Sequence, residues 1–269
     1  MVSTPSWAFP PLLKWALMND PFGQQRRRNR ESRAAWDRFR GHRGQVSALL
    51  AAAAQGRSEP RLCLLGAGNC NDVELQRLLR TYREIHLVDC DSEALAAGLE
   101  HQSLTGHPSL ICHGGIDLLR GTPALGPYEA VASLCLLSQL LEPAPDSAPS
   151  AAAELDRLQA IRRQHLEALV ALTAPGGMAL LITDVVSSET APQLLSAPEN
   201  LVPALVAQCI QERNFFSGTN PAPILDLLRR EPWFAARSES PEPIDPWKWD
   251  FGPRCYAVYA IQFRRRAES

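Results

Sequence analysis

The stretch from Pro60 to Ser92 constrains this chain more than any other. It begins with four apolar residues, 62–65, which predict a buried strand, and continues into a turn that contains Gly66 and Gly68. A helical pattern follows, and a second apolar strand ends on Asp89, about 20 residues beyond the glycines. This arrangement is typical of a nucleotide-binding unit in an α/β sheet.

The glycines and the acid would have separate physical roles in such a unit. Glycine has no side chain, so the backbone can turn tightly and approach a ligand that faces the free amides at the helix start. Asp89 would accept hydrogen bonds from ribose hydroxyls at the sheet edge. The simpler alternative is a plain strand–turn–helix unit with a surface aspartate. A dinucleotide fingerprint would need a third glycine where the chain has Asn71, which disfavours a nicotinamide cofactor.

The motif resembles that of the class I S-adenosylmethionine-dependent methyltransferases, in which an acid-x-Gly-x-Gly-x-Gly turn is followed by a strand that ends in an acid. Leu64 stands in the place of the leading acid and Cys70 in that of the third glycine, so polar contacts from Asn69, Asn71 and Asp72 would replace those that are lost. The resemblance implies S-adenosyl-L-methionine as the cofactor. The residues that it assigns to cofactor binding are Gly66, Ala67, Gly68, Asn71, Asp72, Asp89, Cys90, Asp117, Leu118 and Ser133.

Two segments in the middle of the chain carry the resemblance further. Asp117 follows a third predicted strand, where the family commonly contacts the adenine amino group; an ordinary helix N-cap is an equal alternative. The apolar stretch 128–141 predicts a fourth strand that runs into a turn or helix. Its residues 133–139 would then face the transferred methyl group.

The second half of the chain predicts the rest of the sheet. A strong helical pattern over 151–173 ends at a proline–glycine turn, and a fifth strand then ends on Asp184, as in the family. Residues 234–239 predict a sixth strand, a turn-rich segment follows, and 255–263 alternate as a closing strand. We therefore expect a Rossmann-like doubly wound sheet of seven strands whose last strand is antiparallel. Trp247 and Trp249 would either line an apolar substrate site or cover a sheet edge.

The N-terminal part predicts a helical cap. Residues 26–54 read as helix, with Gly41 and Gly44 as candidate breaks, after a proline-broken arm. A solvated amphipathic helix is the favoured interpretation; the alternative is a lid whose side chains Arg40, His42 and Arg43 meet an anionic substrate. We expect the arm and cap to span 1–58 and the methyltransferase domain to span 59–269, with an insertion over about 187–232 that shapes the substrate pocket.

Composition limits the partners. A net charge of −2 gives no general attraction to nucleic acid or to an anionic membrane, and no signal peptide or membrane span is expected. The seven cysteines include no C-x-x-C pair and mostly stand in apolar runs, which predicts reduced, buried thiols and a cytoplasmic protein.

The expected activity is methyl transfer to an oxygen or nitrogen of a small molecule. A sulfonium carries an excellent leaving group, so alignment and exclusion of water supply most of the rate, and no metal site is expected. If a general base takes part, His42 and Asp184 are the candidates. The alternatives are a non-catalytic S-adenosylmethionine-binding protein, a nicotinamide-dependent reductase, and an RNA methyltransferase that uses the arginine-rich segment 26–43.

Overall fold

A computed structural model describes residues 21–142 and 150–267 of the chain. The predicted N-terminal arm lies mostly outside these residues. None of the helices in the two described ranges is both long and apolar enough to cross a membrane.

One seven-stranded sheet forms the centre of the protein. Its strands are β1 (Arg61–Leu65), β2 (Glu84–Val88), β3 (Leu110–His113), β4 (Tyr128–Leu134), β5 (Thr173–Ser187), β6 (Ser238–Asp250) and β7 (Cys255–Arg265). The spatial order is β3-β2-β1-β4-β5-β7-β6, with β1 to β5 parallel and β7 antiparallel to both of its neighbours. The prediction of a Rossmann-like seven-stranded sheet with an antiparallel last strand is confirmed.

Helices cover both faces of the sheet. They are α1 (Pro21–Ser32), α2 (Arg40–Ala53), α3 (Leu75–Leu78), α4 (Ser92–His101), α5 (Leu137–Leu141), α6 (Ala151–Leu172), α7 (Val202–Gln211), α8 (Pro221–Arg230) and α9 (Pro232–Ala235). Short 3₁₀ turns occur at Leu118–Arg120, Pro192–Leu195 and Glu199–Leu201. Buried residues of α2, α3 and α4 pack on one face of the sheet, and those of α5 to α9 pack on the other. Alternate residues of β1 enter the two clusters, as expected for a strand that is buried on both faces.

The sixth strand lies further along the chain than its sequence indicates. The segment predicted as a strand, 234–239, contains the end of α9 and only the first two residues of β6, which then runs through the segment predicted as turns. That segment contains Pro241, Pro243 and Pro246, which a central strand would exclude. β6 tolerates them because it is the outermost strand and its pairing with β7 shifts register twice.

The helical cap also breaks at a different place from the one predicted. Helices α1 and α2 are separated by residues 33–39, whereas the candidate breaks Gly41 and Gly44 both lie within α2. The guanidinium of Arg43 lies 3.5 Å from the ring centre of Trp36 and donates to that residue's carbonyl oxygen at 2.8 Å. This contact fixes the connection between the two helices.

The cysteine prediction is confirmed in part. All seven thiols are free, and five of them are buried. Cys90 is half-buried and Cys112 is exposed, because the strand β3 that carries Cys112 stands at the sheet edge.

Candidate functional site

The turn after β1 requires glycine for conformation and for space. Gly66 and Gly68 have φ values of 76° and 47°, a region that side chains disfavour. The amides of Gly66 and Ala67 donate to the carbonyl of Val88, which ties the turn to the end of β2. A Cβ atom on Gly66 would lie 3.0 Å from the Cβ of Leu136, so the turn sits close against the segment after β4.

Asp89 connects this turn to the loop after β2. Its side chain is buried, and its two oxygens accept from the amides of Gly68 at 2.8 Å and Asp91 at 2.9 Å. Burial raises the pKa of Asp89 above its ordinary value. A carboxylate oxygen has more than one lone pair, so each oxygen can accept a further hydrogen bond from a ligand hydroxyl.

A small cavity of about 90 Å³ opens beside Asp89. Polar groups of Asp89, Cys90 and Asp117 border it, and its apolar walls include Ile116, Leu118, Leu136 and Leu140. Asp117 also accepts from the amide of Leu119 at 2.9 Å, so it caps the 3₁₀ turn and borders the cavity at the same time. The two interpretations of Asp117 therefore do not exclude each other.

A much larger cleft of about 860 Å³ lies on the other side of the glycine turn. Gln25, Gly66 and Gln139 border both spaces, so the cleft and the small cavity meet there. The other residues assigned from sequence that border the cleft are Ala67, Gly68, Asn71, Asp72 and Asp184. Of the residues predicted to face the methyl group, Leu134, Cys135, Ser138 and Gln139 line it as well.

Asp184 stands near the carboxyl end of β5 and borders the cleft while only 7% exposed. The hydroxyl of Ser138 donates to its Oδ1 at 2.5 Å. Burial raises the pKa of Asp184 to about 6. The group can therefore exchange a proton near neutral pH.

His42, the other candidate base, does not border the cleft. It is 1% exposed, and the indole Nε1–H of Trp247 donates to its Nδ1 at 3.0 Å. An indole nitrogen only donates, so the imidazole hydrogen stands on Nε2, which faces Oδ1 of Asp72 at 3.3 Å. His42 therefore lies behind Asp72, which borders the cleft itself.

Two further expectations do not fit the geometry. The hydroxyl of Ser133 lies 2.8 Å from Nε2 of His165 on the far face of the sheet, where Ser133 is fully buried and does not border either space. The alternative of an anion-binding lid is also not supported by the geometry: Arg43 is buried against Trp36, and Arg40 is exposed and pairs with Asp37. Side chains alternate along a strand and around a helix, so a segment that reaches the ligand does not bring all of its residues to it.

Helix α1 lies across the glycine turn, which the sequence did not indicate. The side-chain amide of Asn69 donates to the backbone carbonyl of Asn29 at 2.5 Å, and the side-chain amide of Asn71 donates to the backbone carbonyl of Ser32 at 2.8 Å. Asn29 in turn donates to Asp91 at 3.1 Å. The asparagines at 69 and 71 thus fasten α1 over the turn, and Arg28 fixes its outer side by a 2.6 Å ion pair with Glu142.

An aromatic wall closes one side of the cleft. It consists of Phe39, Trp249, Phe251 and Tyr256, whose ring centres lie 4.5 to 5.8 Å apart in contacting pairs. Trp249 also stacks on His42, with ring centres 4.6 Å apart. The prediction that the tryptophans line an apolar site fits Trp249, which borders the cleft. It does not fit Trp247, which is buried against His42. The paired aromatic residues around the β6–β7 turn were the available sequence signal.

The chain matches no protein-family model and no curated protein sequence. Solved structures that resemble it include N-methyltransferase NodS from Bradyrhizobium japonicum WM9, at 10% identity over 87% of this chain and 99% of that chain, with a TM-score of 0.46. Another is a putative RNA methyltransferase, PH1948 from Pyrococcus horikoshii, at 12% identity over 83% and 84%, also with a TM-score of 0.46. A third is a putative methyltransferase, BH2331 from Bacillus halodurans, at 10% identity over 82% and 98%, with a TM-score of 0.45.

Proposed function

We propose that this chain is an S-adenosylmethionine-dependent methyltransferase that acts on a small-molecule acceptor. The observation that carries the proposal is the pair of connected spaces on either side of Gly66. The small cavity has the carboxylates and apolar walls that suit a nucleoside, and the large cleft has room for both a methionine group and an acceptor.

The residues around the small cavity fit the adenosine part of the cofactor. Asp89 would accept from the ribose hydroxyls, and Asp117 would accept from the adenine amino group beside the apolar walls. Oε1 of Gln139 is buried and has no hydrogen-bond partner among the described residues, although Gln139 borders both spaces. A buried acceptor without a donor is costly, so a ligand that donates to it fits this position.

The residues at the floor of the cleft fit the methionine part. Asp72 would accept from the ammonium group, and His42 would act through it as a positioning residue, because Nε2–H of His42 faces the Asp72 carboxylate. When bound, S-adenosylmethionine supplies a methyl group on a positively charged sulfur, which makes that carbon strongly electrophilic. The protein then has to orient the acceptor and exclude water.

The N-terminal residues would complete the enclosure. We propose that residues 1–58 act as a cap on the domain formed by 59–269, with α1 fastened over the glycine turn by the asparagine contacts. The segment 187–232 contributes Phe216 and Ser217 to the cleft, in keeping with an insertion that shapes the acceptor site. Asp184, rather than His42, is the group placed to receive a proton.

Isothermal titration with S-adenosylhomocysteine, and separately with NADH, tests the proposal. We expect micromolar binding of S-adenosylhomocysteine and weaker or no binding of NADH. The Asp89→Ala variant should lose about tenfold or more in affinity, since it removes a charged hydrogen-bond acceptor. Asp226→Ala, a change of the same kind on the exposed face of α8, is the matched control and should bind normally. Tighter binding of NADH, or no binding of S-adenosylhomocysteine, would show that the proposal is wrong.

A further inference from the structure

The charges around the large cleft are not balanced. Five carboxylates border it, from Glu31, Asp72, Glu142, Asp184 and Glu189, against three guanidinium groups, from Arg28, Arg38 and Arg254. Two of the carboxylates are neutralised, because Glu142 pairs with Arg28 at 2.6 Å and Glu189 pairs with Arg254 at 2.8 Å. Three acids, Glu31, Asp72 and Asp184, then remain against one guanidinium, that of Arg38, and they account for the surplus of negative charge.

The two acids at the floor of the cleft have no cationic side chain of their own. Among the residues that the structure describes, no lysine or arginine lies within ion-pairing distance of Asp72 or Asp184. Asp72 faces the imidazole of His42, and Asp184 accepts a hydrogen bond from the neutral hydroxyl of Ser138. A buried carboxylate is stabilised by a positive partner in contact with it, and a cationic ligand in the cleft would provide one for Asp184.

The aromatic wall lies near Asp184, on the two strands β7 and β6 that follow β5 in the sheet. Asp184 pairs with Val258 of β7, and Tyr256, two residues earlier on β7, pairs with Trp249 of β6. Two residues of a strand span about 7 Å. The Trp249–Tyr256 pair, where the aromatic wall begins, therefore lies roughly that far along the strands from the Asp184–Val258 pair. This spacing suits a molecule with a charged head and a flat apolar body.

From this geometry we infer that the acceptor is an amine on an apolar or aromatic body, and that its ammonium form binds Asp184 while its body lies against Trp249, Phe251 and Tyr256. The inference rests on the proposed function, and it narrows the acceptor from oxygen or nitrogen to nitrogen. The aromatic rings support an amine acceptor, because the face of an aromatic ring attracts a cation as well as an apolar surface.

The protonation of the acceptor follows from the same contact. An ammonium nitrogen has no lone pair, so it must lose a proton before it can take a methyl group. The N–H bond breaks and its electrons stay on nitrogen as the lone pair, while the proton forms an O–H bond with the Asp184 carboxylate. Over the whole reaction the acceptor nitrogen gains one methyl group and releases one proton, and the sulfonium becomes a neutral thioether. The raised pKa of Asp184 brings its proton affinity closer to that of an amine.

A matched series of probes tests the inference by binding alone. The full chain, saturated with S-adenosylhomocysteine, is titrated at about pH 8 with 2-phenylethylamine, 2-phenylethanol and phenylacetate, which share a skeleton and carry a cationic, neutral or anionic head. We expect the amine to bind at least about tenfold more tightly than the alcohol, and phenylacetate to bind most weakly. In Asp184→Asn the advantage of the amine should fall to within about twofold, with the affinity for S-adenosylhomocysteine nearly unchanged.

The possible outcomes separate the two proposals. If S-adenosylhomocysteine binds but the amine binds no better than the alcohol, or does not bind, the amine inference is wrong and the proposed function stands. If the preference survives in Asp184→Asn, the role given to Asp184 is wrong. If S-adenosylhomocysteine does not bind, the proposed function itself fails. The probe series on the unaltered protein remains decisive if Asp184→Asn does not fold, and Asp226→Asn controls for a general effect of losing one carboxylate.

Discussion

Two serine contacts near the carboxyl ends of neighbouring strands show how burial serves stability in one place and chemistry in another. Ser133 on β4 meets His165 of α6 at 2.8 Å, and both side chains are sealed inside the protein. Ser138 meets Asp184 of β5 at 2.5 Å, but this pair borders the large cleft. Burial lowers the pKa of His165 to about 4 and raises that of Asp184 to about 6. In both places burial shifts the equilibrium towards the neutral form, yet of the two groups only Asp184 borders a cleft that a ligand can enter.

The largest effect should come from breaking the sealed pair. His165→Ala leaves a cavity and an unsatisfied Ser133 hydroxyl, so we expect the free energy of unfolding in urea to fall by about 3 kcal/mol at neutral pH. Binding of S-adenosylhomocysteine by the folded protein should change little. A loss below about 0.5 kcal/mol would show that the pair does not hold the core together.

This loss should depend on pH. The folded pKa of His165 lies below the unfolded value of 6.5, so its contribution is complete above about pH 6.5 and is lost as the pH falls towards 4. Unfolding measured at several pH values in this range should therefore show the gap between wild type and His165→Ala shrinking with acidification. A constant gap would mean that the pKa of His165 is the same in the folded and the unfolded protein.

The open pair should respond with the opposite sign. The folded pKa of Asp184 lies above its unfolded value of 3.8, so its ionisation destabilises the protein as the pH rises through about 4 to 6. Asp184→Asn should therefore raise the free energy of unfolding by about 1 to 2 kcal/mol above pH 6, with no gain near pH 4. Urea unfolding at the two ends of this range measures the difference. If Asp184→Asn were less stable than the wild type above pH 6, burial of the ionised Asp184 would not be the cost that this comparison assigns to it.

The smallest effect should come from Ser138→Ala. This change removes the hydroxyl that stabilises the ionised Asp184 carboxylate, so the pKa of Asp184 should rise further. We expect a stability change of about 1 kcal/mol or less at neutral pH, because Ser138 is only partly buried. The titration of Asp184, followed by carboxyl NMR chemical shifts, provides the measurement. An unchanged or lower pKa would show that the hydrogen bond does not tune this group.

The sequence predicted the sheet because its signals are local. The apolar runs of β1, β2 and β4 and the glycine turn depend on residues that are neighbours in the chain, so their pattern is visible without the fold. The sixth strand was misplaced because prolines at 241, 243 and 246 oppose a strand locally, whereas their position at the sheet edge permits one.

The candidate site was predicted less completely, because part of it depends on contacts between segments that are distant in the chain. Nine of the ten residues assigned to cofactor binding border one of the two spaces, since they stand in the loops at the strand ends. Ser133 does not, because the pleat of β4 turns it towards His165. Trp249 was a sequence candidate, whereas Asn29 and the other rings of the aromatic wall were missed because they reach the site from distant segments. Nothing in the local pattern of α1 indicates that it lies across Gly68.

The prolines of β6 also have a consequence for assembly. Each proline lacks an amide hydrogen, so the outermost strand has three backbone positions that cannot donate a hydrogen bond. These positions disfavour continuous pairing with a strand from a second molecule along this edge. The prolines that concealed the strand in the sequence are thus a feature that natural sheet edges use against edge-to-edge pairing.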